Sequence, residues 1–272
     1  MAEARRATHF SVRRMPGFAT IAAIVFVTLY APIVLLVIFS FNAGDSVAFF
    51  EGFSLRWYEA AWQNTQVQSA AIRSAQVALV AATLSTILAT MAALATTRTK
   101  PFRGLTFIYA AINQPLMAPE IVTAVSLLIF FALIKIATGY TGMGYIYAAH
   151  TAFCIPFAYL PIRGRLEDMD QTLERAAADL YATPWNAFRY VTLPLLWPGI
   201  LAGFMLAFVI SLDDVVITNL IISPGQTTLP IYMLGQLRRI VTPEINAVST
   251  VFLAASVLLV SIFFLINRKK TA

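Results

Sequence analysis

Long uninterrupted runs of apolar residues dominate the chain. Six of them are separated by short polar segments: Phe18–Phe41, Ser74–Thr97, Leu105–Ile134, Met143–Ile162, Gly199–Ile222 and Ile245–Asn267. A helix needs about 20 apolar residues to cross the hydrocarbon core of a bilayer. A membrane β-barrel would instead alternate apolar and polar residues in segments of about 10. The pattern therefore predicts an all-α integral membrane protein with six transmembrane helices.

Two prolines interrupt the third run. Pro115 and Pro119 lack a backbone donor and kink or break a helix, so Leu105–Ile134 is predicted to be a broken span. Carbonyl groups freed inside a bilayer must be buried in protein or lie along a wet path. The break is therefore expected to face one of these two environments rather than lipid.

Composition agrees with the membrane class. Of the 272 residues, 59% are hydrophobic and 12% are charged, whereas a typical soluble domain has about 25% charged residues. The single cysteine, Cys154, excludes an intrachain disulfide and a cysteine-based metal cluster. The net charge of +6 comes from Lys and Arg beside the apolar runs, so the expected partner is the membrane surface and not nucleic acid.

The positions of Lys and Arg predict the orientation in the membrane. With the N-terminus inside, 14 of the 19 basic residues lie on the cytoplasmic side and 5 lie outside, in accord with the positive-inside rule. Both termini are therefore expected to be cytoplasmic. The predicted organisation is a basic tail (residues 1–17), one six-span domain (18–267) with a cytoplasmic loop at 163–198, and a short cytoplasmic tail (268–272).

The cytoplasmic loop is predicted to contain an amphipathic helix. Four residues share one face at helical spacing: Leu173, Ala176, Ala177 and Leu180. Three possible caps precede them: Asp168, Asp170 and Thr172. A helix resting on lipid headgroups would carry Lys and Arg on its polar face, but this one carries Glu174 and Asp179 with only Arg175. A protein partner is therefore favoured over lipid.

The loop also resembles a known motif. It reads ERAAADLYATP from Glu174 and FRYVTLPLLWPGI from Phe188, which is similar to the EAA loop of permease subunits of binding-protein-dependent ABC importers. The resemblance implies a coupling helix that docks on an ATPase subunit. Tyr181 stands where the family usually has glycine, and Arg175 where it has an acid or a small residue, so the turn after the helix needs another solution. The residues assigned to coupling are Leu173, Glu174, Ala176, Ala177, Asp179, Leu180, Leu193 and Pro194.

Four further segments look like the second permease of spermidine/putrescine importers. They are FEGFSLRWYEAAWQN, PLMAPEIV, SLDDVVI and TTLPIYMLGQLRRIVTPEINA, although relatives for iron, thiamine or opines share parts of them. The resemblance implies the type I ABC importer permease (MetI-like) architecture in a bacterial cytoplasmic (inner) membrane, and polyamine import by alternating access. It also implies a second permease, two ATPase subunits that hold ATP and Mg, and an extracytoplasmic substrate-binding protein.

Three acids inside the spans are candidates for the substrate path: Glu120, Asp213 and Asp214. A carboxylate at mid-bilayer is costly unless it meets a partner or water, so such residues commonly mark pathways. Carboxylates with aromatic faces suit a flexible cation such as a polyamine. The alternative is that these acids contact the partner permease or are fixed by hydrogen bonds to one of four polar residues: Asn113, Gln114, Thr218 or Asn219. Consecutive aspartates point about 100° apart on a helix and cannot both face one lumen.

Rival functions lack their required motifs. The chain has no G-x-S-x-G element, no histidines at metal-ligand spacing and no G-x-x-x-x-G-K-[ST] phosphate loop. No catalytic residue, metal site or cofactor is therefore expected on this chain. His150 is expected to bind a polar partner rather than relay protons. A secondary transporter would suit the broken span, but it would have no use for a docking helix.

Overall fold

The computed structural model describes residues 17–238 and 242–268. The predicted terminal tails fall almost wholly outside this part of the chain. Twelve α-helices are present in it: α1 (Phe18–Phe39), α2 (Arg56–Gln63), α3 (Thr65–Thr97), α4 (Leu105–Met117), α5 (Glu120–Thr138), α6 (Gly144–Asp168), α7 (Thr172–Asp179), α8 (Pro184–Ala187), α9 (Leu193–Asp213), α10 (Val216–Ile221), α11 (Leu229–Leu237) and α12 (Pro243–Arg268). A π-helical turn, Phe188–Thr192, joins α8 to α9.

Six helical segments in the described residues are long and apolar enough to cross a membrane, as predicted. They are Phe18–Phe39, Thr65–Thr97, Glu120–Thr138, Gly144–Asp168, Pro184–Asp213 and Pro243–Phe263. The third run is broken as expected, at Ala118 and Pro119, whereas Pro115 lies inside α4.

Two predicted spans have the wrong bounds. The second begins at Thr65 rather than at Ser74, because Asn64 caps it by accepting bonds from the Gln66 and Val67 amides. The fifth is not continuous from Gly199 to Ile222. It begins at Pro184, ends at Asp213 and resumes as α10 after extended backbone at Asp214.

By its internal contacts the chain forms two compact units, of which the first comprises residues 1–63 and 241–252. Within it, the side chain of buried Asn42 organises the segment that follows α1. Its amide donates to the carbonyls of Ser46 and Phe49 at 2.7 and 2.8 Å, and its oxygen accepts from the amide of Glu51 at 2.8 Å. Most of α1 is exposed, as expected of a helix that faces lipid or another protein.

The second unit, residues 64–240 and 253–272, is built around α3, α6 and α9. The buried face of α3 carries small residues at helical spacing, among them Ala78, Ala82, Ala89 and Ala93. Gly203 on α9 lies so close to α6 that an added Cβ would be 2.6 Å from the carbonyl oxygen of Ala158. Small residues at such positions allow close packing where lipid gives no hydrophobic driving force. This rigid trio positions the polar groups described next.

Candidate functional site

Glu120 and Asp213 line one cavity of about 350 Å³ in the second unit. Both carboxylates are exposed to it, and Phe153 and Phe157, one turn apart on α6, form part of its wall. The cavity volume falls at the lower end of the roughly 300–1,000 Å³ of small-molecule pockets. The two acids, 93 positions apart in the sequence, thus line the same cavity.

Helix ends place these two acids. Glu120 is the first residue of α5, which starts after the break at Ala118 and Pro119. Asp213 is the last residue of α9, immediately before the extended Asp214. The C-terminus of a helix carries unpaired carbonyl groups and a partial negative charge. The end of α9 therefore adds carbonyl oxygens to the carboxylates around the cavity.

Asp214 plays a different part, because its side chain is almost completely buried. Its carboxylate accepts hydrogen bonds from the amides of Ile217 and Thr218, at 3.3 and 2.8 Å, and from the Thr218 hydroxyl at 2.7 Å. It therefore caps the first turn of α10 and explains why the fifth span breaks without a proline or glycine. The alternative of an acid fixed by hydrogen bonds, here to Thr218, holds for this residue. Asp214 nevertheless borders the same cavity as Asp213, so the expectation that both could not face one lumen was wrong, because the helix ends at Asp213.

His150 on α6 completes the buried network. Its Nδ1 lies 2.8 Å from the Ser211 hydroxyl, and its Nε2 lies 2.9 Å from the Thr218 hydroxyl and 3.4 Å from a carboxylate oxygen of Asp214. The Thr218 hydroxyl proton is donated to Asp214, so the Thr218 oxygen accepts from His150 Nε2–H. In a neutral imidazole, Nδ1 then accepts from Ser211. The expected polar partner of His150 is confirmed, and the network ties α6, α9 and α10 together.

This arrangement is suited to a cation with apolar methylene groups. Two carboxylates and the end of α9 supply negative potential, and the two phenylalanines add aromatic surface, to which cations can be attracted. A protonated amine that leaves water can exchange its hydration shell for such oxygens. Among the described residues, no three His, Cys, Asp or Glu side chains come together in a way that could hold a metal ion. The two phenylalanines were missed from sequence, although their i, i+4 spacing on α6 is a usable signal.

The predicted amphipathic helix is present as α7, and it ends in a Schellman motif. The amide of Tyr181 donates to the carbonyl of Ala178 at 2.9 Å, and the amide of Ala182 donates to that of Ala177 at 3.0 Å. Tyr181 adopts the left-handed conformation with φ of 60°. The missing glycine is thus replaced by a tyrosine in the conformation that glycine would adopt, at a steric cost of about 1–2 kcal/mol.

Glu174 joins α7 to two other helices. Its carboxylate lies 3.0 Å from Arg98 Nε, at the end of α3, and accepts a 3.0 Å hydrogen bond from the hydroxyl of Thr192, just before α9. Both members of the ion pair are mostly buried, with 16% and 22% of their side chains exposed. This junction of Arg98, Glu174 and Thr192 was not predicted, because no local spacing relates residues 76 positions apart.

The rest of the coupling segment, residues 172–194, is largely exposed. Large apolar side chains are uncovered along it: Leu173, Leu180, Tyr181, Trp185 and Tyr190. Ala176, Asp179 and Pro194 are exposed as well, while Ala177 and Leu193 are half-buried. Before α7, Asp170 accepts from the backbone amide and the hydroxyl of Thr172, and these bonds lower the pKa of its carboxyl. Asp170 thus fills the predicted capping role, whereas the helix N-cap itself is Gln171.

Comparison with known proteins gives concordant matches. The family model described as "Binding-protein-dependent transport system inner membrane component" matches residues 85–269. The chain is 40% identical over 247 residues to the putrescine transport system permease protein PotI of Escherichia coli K12, covering 90% of this chain and 88% of that protein. It is 34% identical over 255 residues to the spermidine/putrescine transport system permease protein PotC of the same strain, covering 94% of each.

Solved structures of the same fold are more distant in sequence. A bacterial ABC transporter involved in the import of the acidic polysaccharide alginate matches with a TM-score of 0.66 and 14% identity, over 92% of this chain and 94% of that one. An amino acid ABC transporter matches with a TM-score of 0.59 and 18% identity, over 78% and 98%. These two likenesses concern the fold alone.

Proposed function

Because the chain belongs to the family of binding-protein-dependent transport system inner membrane components, we propose that it is the permease subunit of an ATP-driven polyamine importer. The substrates are putrescine and spermidine, which the names of the similar permeases indicate. The chain carries the substrate across the inner membrane by alternating access. Iron, thiamine and opine-like compounds are the competing substrates.

One observation carries the choice of a cationic substrate. Glu120 and Asp213 present their carboxylates to a common cavity within the spans, next to two aromatic rings. Neither carboxylate accepts the amide and hydroxyl bonds from α10 that Asp214 accepts, although the Glu120 carboxyl also shares a side-chain hydrogen bond with Asp214. They are therefore the groups available to bind ammonium groups, while Asp214 holds the break in the fifth span. Of the three acids predicted for the substrate path, Glu120 and Asp213 contact the substrate, and Asp214 holds the backbone that positions them.

ATP hydrolysis is assigned to partner subunits. The sequence lacks a phosphate-binding loop, so two ATPase subunits hold ATP and Mg on the cytoplasmic face. A second permease completes the path, and a soluble protein delivers substrate from outside. The exposed face of α7, including Leu173, Ala176 and Leu180, docks on an ATPase subunit, with half-buried Ala177 at its edge. Closure of the ATPases moves α7, and the Glu174 junction passes that movement to α3 and α9.

The orientation supports this assignment of partners. From the excess of Lys and Arg we infer that both termini and the loop at 163–198 are cytoplasmic. The N-terminal end of α3 and the segment at 223–238 then lie on the outer side. A cysteine introduced at Thr99, beside the cytoplasmic end of α3, should react only with a membrane-permeant reagent. Labelling of intact cells by an impermeant reagent would overturn the topology.

Uptake of radiolabelled putrescine and spermidine tests the substrate. Cells lacking this gene and other polyamine importers should lose uptake and regain it with the wild-type chain. Asp213→Asn and Glu120→Gln should reduce uptake at least tenfold at low substrate, since each removes a charge that faces the cation. Glu59→Gln serves as a matched control, because Glu59 is an acid outside the cavity that is bonded to Gln63.

The outcomes separate the alternatives. Normal uptake by both cavity variants, with normal protein levels, would remove the two acids from the path. Normal polyamine uptake in cells without the gene would remove the polyamine assignment, and labelled thiamine and iron would be measured next. An equal loss in Glu59→Gln would indicate a general effect of charge on assembly and would contradict the role of the cavity.

A further inference from the structure

A second cavity of about 350 Å³ lies at the opposite end of α3 from the Glu174 junction. One wall is a single face of α3, formed by residues at helical spacing: Thr65, Gln66, Ser69, Ala70 and Arg73. The other wall comes from the segment before α11 and from α11 itself, and includes Gly225, Thr227 and Tyr232. Both walls belong to the second unit, and nearly all of the lining side chains are polar.

Three hydrogen bonds hold the two walls in place. The Ser74 hydroxyl accepts from the amide of Leu229 at 2.8 Å, and the Asn64 amide donates to the Tyr232 hydroxyl at 3.2 Å. The side chain of Gln226 donates to the carbonyl of Thr141 at 3.1 Å. Gly225 makes the intervening turn with φ of 85°, where a side chain would be strained. The cavity is thus a formed pocket and not a gap between loose segments.

Among the residues that the structure describes, Arg73 is the only charged one that lines this pocket. Its half-buried guanidinium has neither an ion-pair partner nor a hydrogen-bond partner within the described residues. Three other arginines there are paired, Arg56 with Asp45, Arg98 with Glu174 and Arg163 with Glu167, whereas Arg103, Arg175 and Arg189 have no ion pair but are exposed. A guanidinium offers five donors in a fork that matches a carboxylate. The hydroxyl groups of Thr227 and Tyr232 can supply further donors to the same anion, whereas the Ser69 hydroxyl donates to the carbonyl of Thr65.

The charge of the pocket separates it from the substrate path. A polyamine would be repelled by Arg73, whereas it is attracted by Glu120 and Asp213 at the other cavity. In the proposed topology the pocket opens to the outside, since Arg73 lies only about 12 Å along α3 from Thr65, at 1.5 Å per residue. An anion that approaches from the outside is therefore its expected ligand.

We infer that this pocket receives an acidic side chain of the extracytoplasmic substrate-binding protein, with Arg73 as the anchoring contact. The inference rests on the proposed function, which requires such a protein to dock on the outer face. A protein carboxylate suits the pocket because a half-buried arginine surrounded by hydroxyl groups matches an Asp or Glu at the centre of an interface.

The test uses the assembled transporter, with its second permease and ATPases, in nanodiscs of phosphatidylcholine. Putrescine-loaded binding protein is titrated, and the concentration that half-maximally stimulates ATP hydrolysis is measured. Arg73→Gln should raise this concentration about tenfold or more, because it leaves an acid unpaired at the interface. The maximal rate should stay unchanged. Arg103→Gln, at an exposed position on the other side of the membrane, is the matched control and should behave as wild type.

A second variant tests the pocket without removing Arg73. Ser69→Glu places a carboxylate one turn before Arg73 on the same helix face, the orientation in which an i, i+4 acid and arginine attract each other. The introduced acid should occupy the pocket and raise the half-maximal concentration as Arg73→Gln does. Ser69→Gln, of equal size but uncharged, should have little effect. Because Ser69 is exposed, these variants should assemble normally.

Each outcome either supports or overturns the role of the Arg73 pocket in docking. An unchanged half-maximal concentration in Arg73→Gln and Ser69→Glu would overturn the inference. A defect seen only in nanodiscs that contain phosphatidylglycerol would also overturn it, by identifying a lipid headgroup as the anion. If the loaded binding protein does not stimulate even the wild-type complex, the proposed function fails, which differs visibly from failure of the pocket alone.

Discussion

Two polar clusters of the second unit differ in how completely the chain satisfies them. Around Asp214, every side-chain donor and acceptor of His150, Ser211 and Thr218 has a partner within the chain. At the Glu174 junction, Arg98 pairs well through Nε, yet its Nη2 atom is buried without a hydrogen bond among the described residues. The first cluster is complete in this chain, and the second is not.

The two clusters also differ in how deeply their surroundings are buried. The Asp214 network is packed between α6, α9 and α10, whereas the coupling segment leaves Leu180 82% and Tyr181 97% exposed. Buried polar groups that are fully bonded fix one conformation. A segment with few internal bonds and uncovered apolar groups is available to a partner and free to move. The comparison indicates that the Asp214 network beside the cavity is held in one conformation, whereas the coupling segment at the cytoplasmic end can move.

The largest effect should come from breaking the complete cluster. Asp214→Ala removes the acceptor of three hydrogen bonds and leaves the cap of α10 unmade. Buried donors without partners cost about 1–3 kcal/mol each, so a loss of roughly 3 kcal/mol or more is expected. Thermal unfolding of the assembled complex in detergent measures it. Asp213→Ala, at the exposed neighbouring position, is the control and should stay within about 0.5 kcal/mol.

Equal unfolding temperatures for these two variants would contradict the contrast between the neighbouring aspartates. It would mean that Asp214, like Asp213, is not required to hold the break in the fifth span.

An intermediate effect is expected from the incomplete cluster. Arg98→Glu should reduce polyamine uptake about tenfold while the complex still assembles, because two carboxylates at the junction repel each other. The double variant Arg98→Glu with Glu174→Arg should regain uptake, with a coupling energy of about 1–2 kcal/mol. Uptake and ATP hydrolysis are measured on the same preparations, so that the number of substrates moved per ATP shows loss of coupling.

The control for this charge reversal is a second ion pair, Arg163 and Glu167, whose residues lie one turn apart on α6 and are more exposed. Reversing it should show a coupling energy of only about 0.3–0.5 kcal/mol. If the junction gave no larger value than this surface pair, it would not transmit movement. Failure of the double variant to recover would argue for a direct contact between Glu174 and the ATPase instead.

The sequence predicts well what depends on neighbouring residues. The six spans, the break at Pro119 and helix α7 follow from apolar runs, a missing donor and an amphipathic spacing. The break at Asp214 could not be predicted in this way, because its cause is a side chain that captures amides three and four residues ahead. A continuous apolar run gives no sign of that competition between side chain and helix.

Contacts between distant residues were predicted unevenly. The common cavity of Glu120 and Asp213 could be anticipated, since both acids lie similarly far along the predicted runs Leu105–Ile134 and Gly199–Ile222, although the fifth span in fact begins at Pro184. The Arg98 and Glu174 pair and the partners of His150 could not, because they depend on which helix faces which. Packing of α3, α6 and α9 through small residues decides that, and alanine repeats alone do not specify the neighbour.

The smallest expected effect concerns the turn that ends α7. Tyr181→Gly should stabilise this turn by about 1 kcal/mol, because glycine adopts a positive φ without steric strain. Amide hydrogen exchange at Tyr181 and Ala182, whose amides close the Schellman motif, should slow by about fivefold in the complex. Ala182→Gly is the matched control, since Ala182 does not have a positive φ, and it should leave exchange unchanged or slightly faster.

The Tyr181→Gly variant also tests whether the strained tyrosine contacts the ATPase subunit. Its ring is almost fully exposed beside Leu180, so its removal should lower the affinity for the ATPase subunit even as the turn gains stability. Strain that persists at an exposed residue is consistent with a contact made in the complex. Slower exchange together with weaker ATPase binding would support a direct contact between Tyr181 and the ATPase subunit in the assembled transporter. Slower exchange with unchanged binding would confine Tyr181 to the turn and reduce the docking surface to the face of α7.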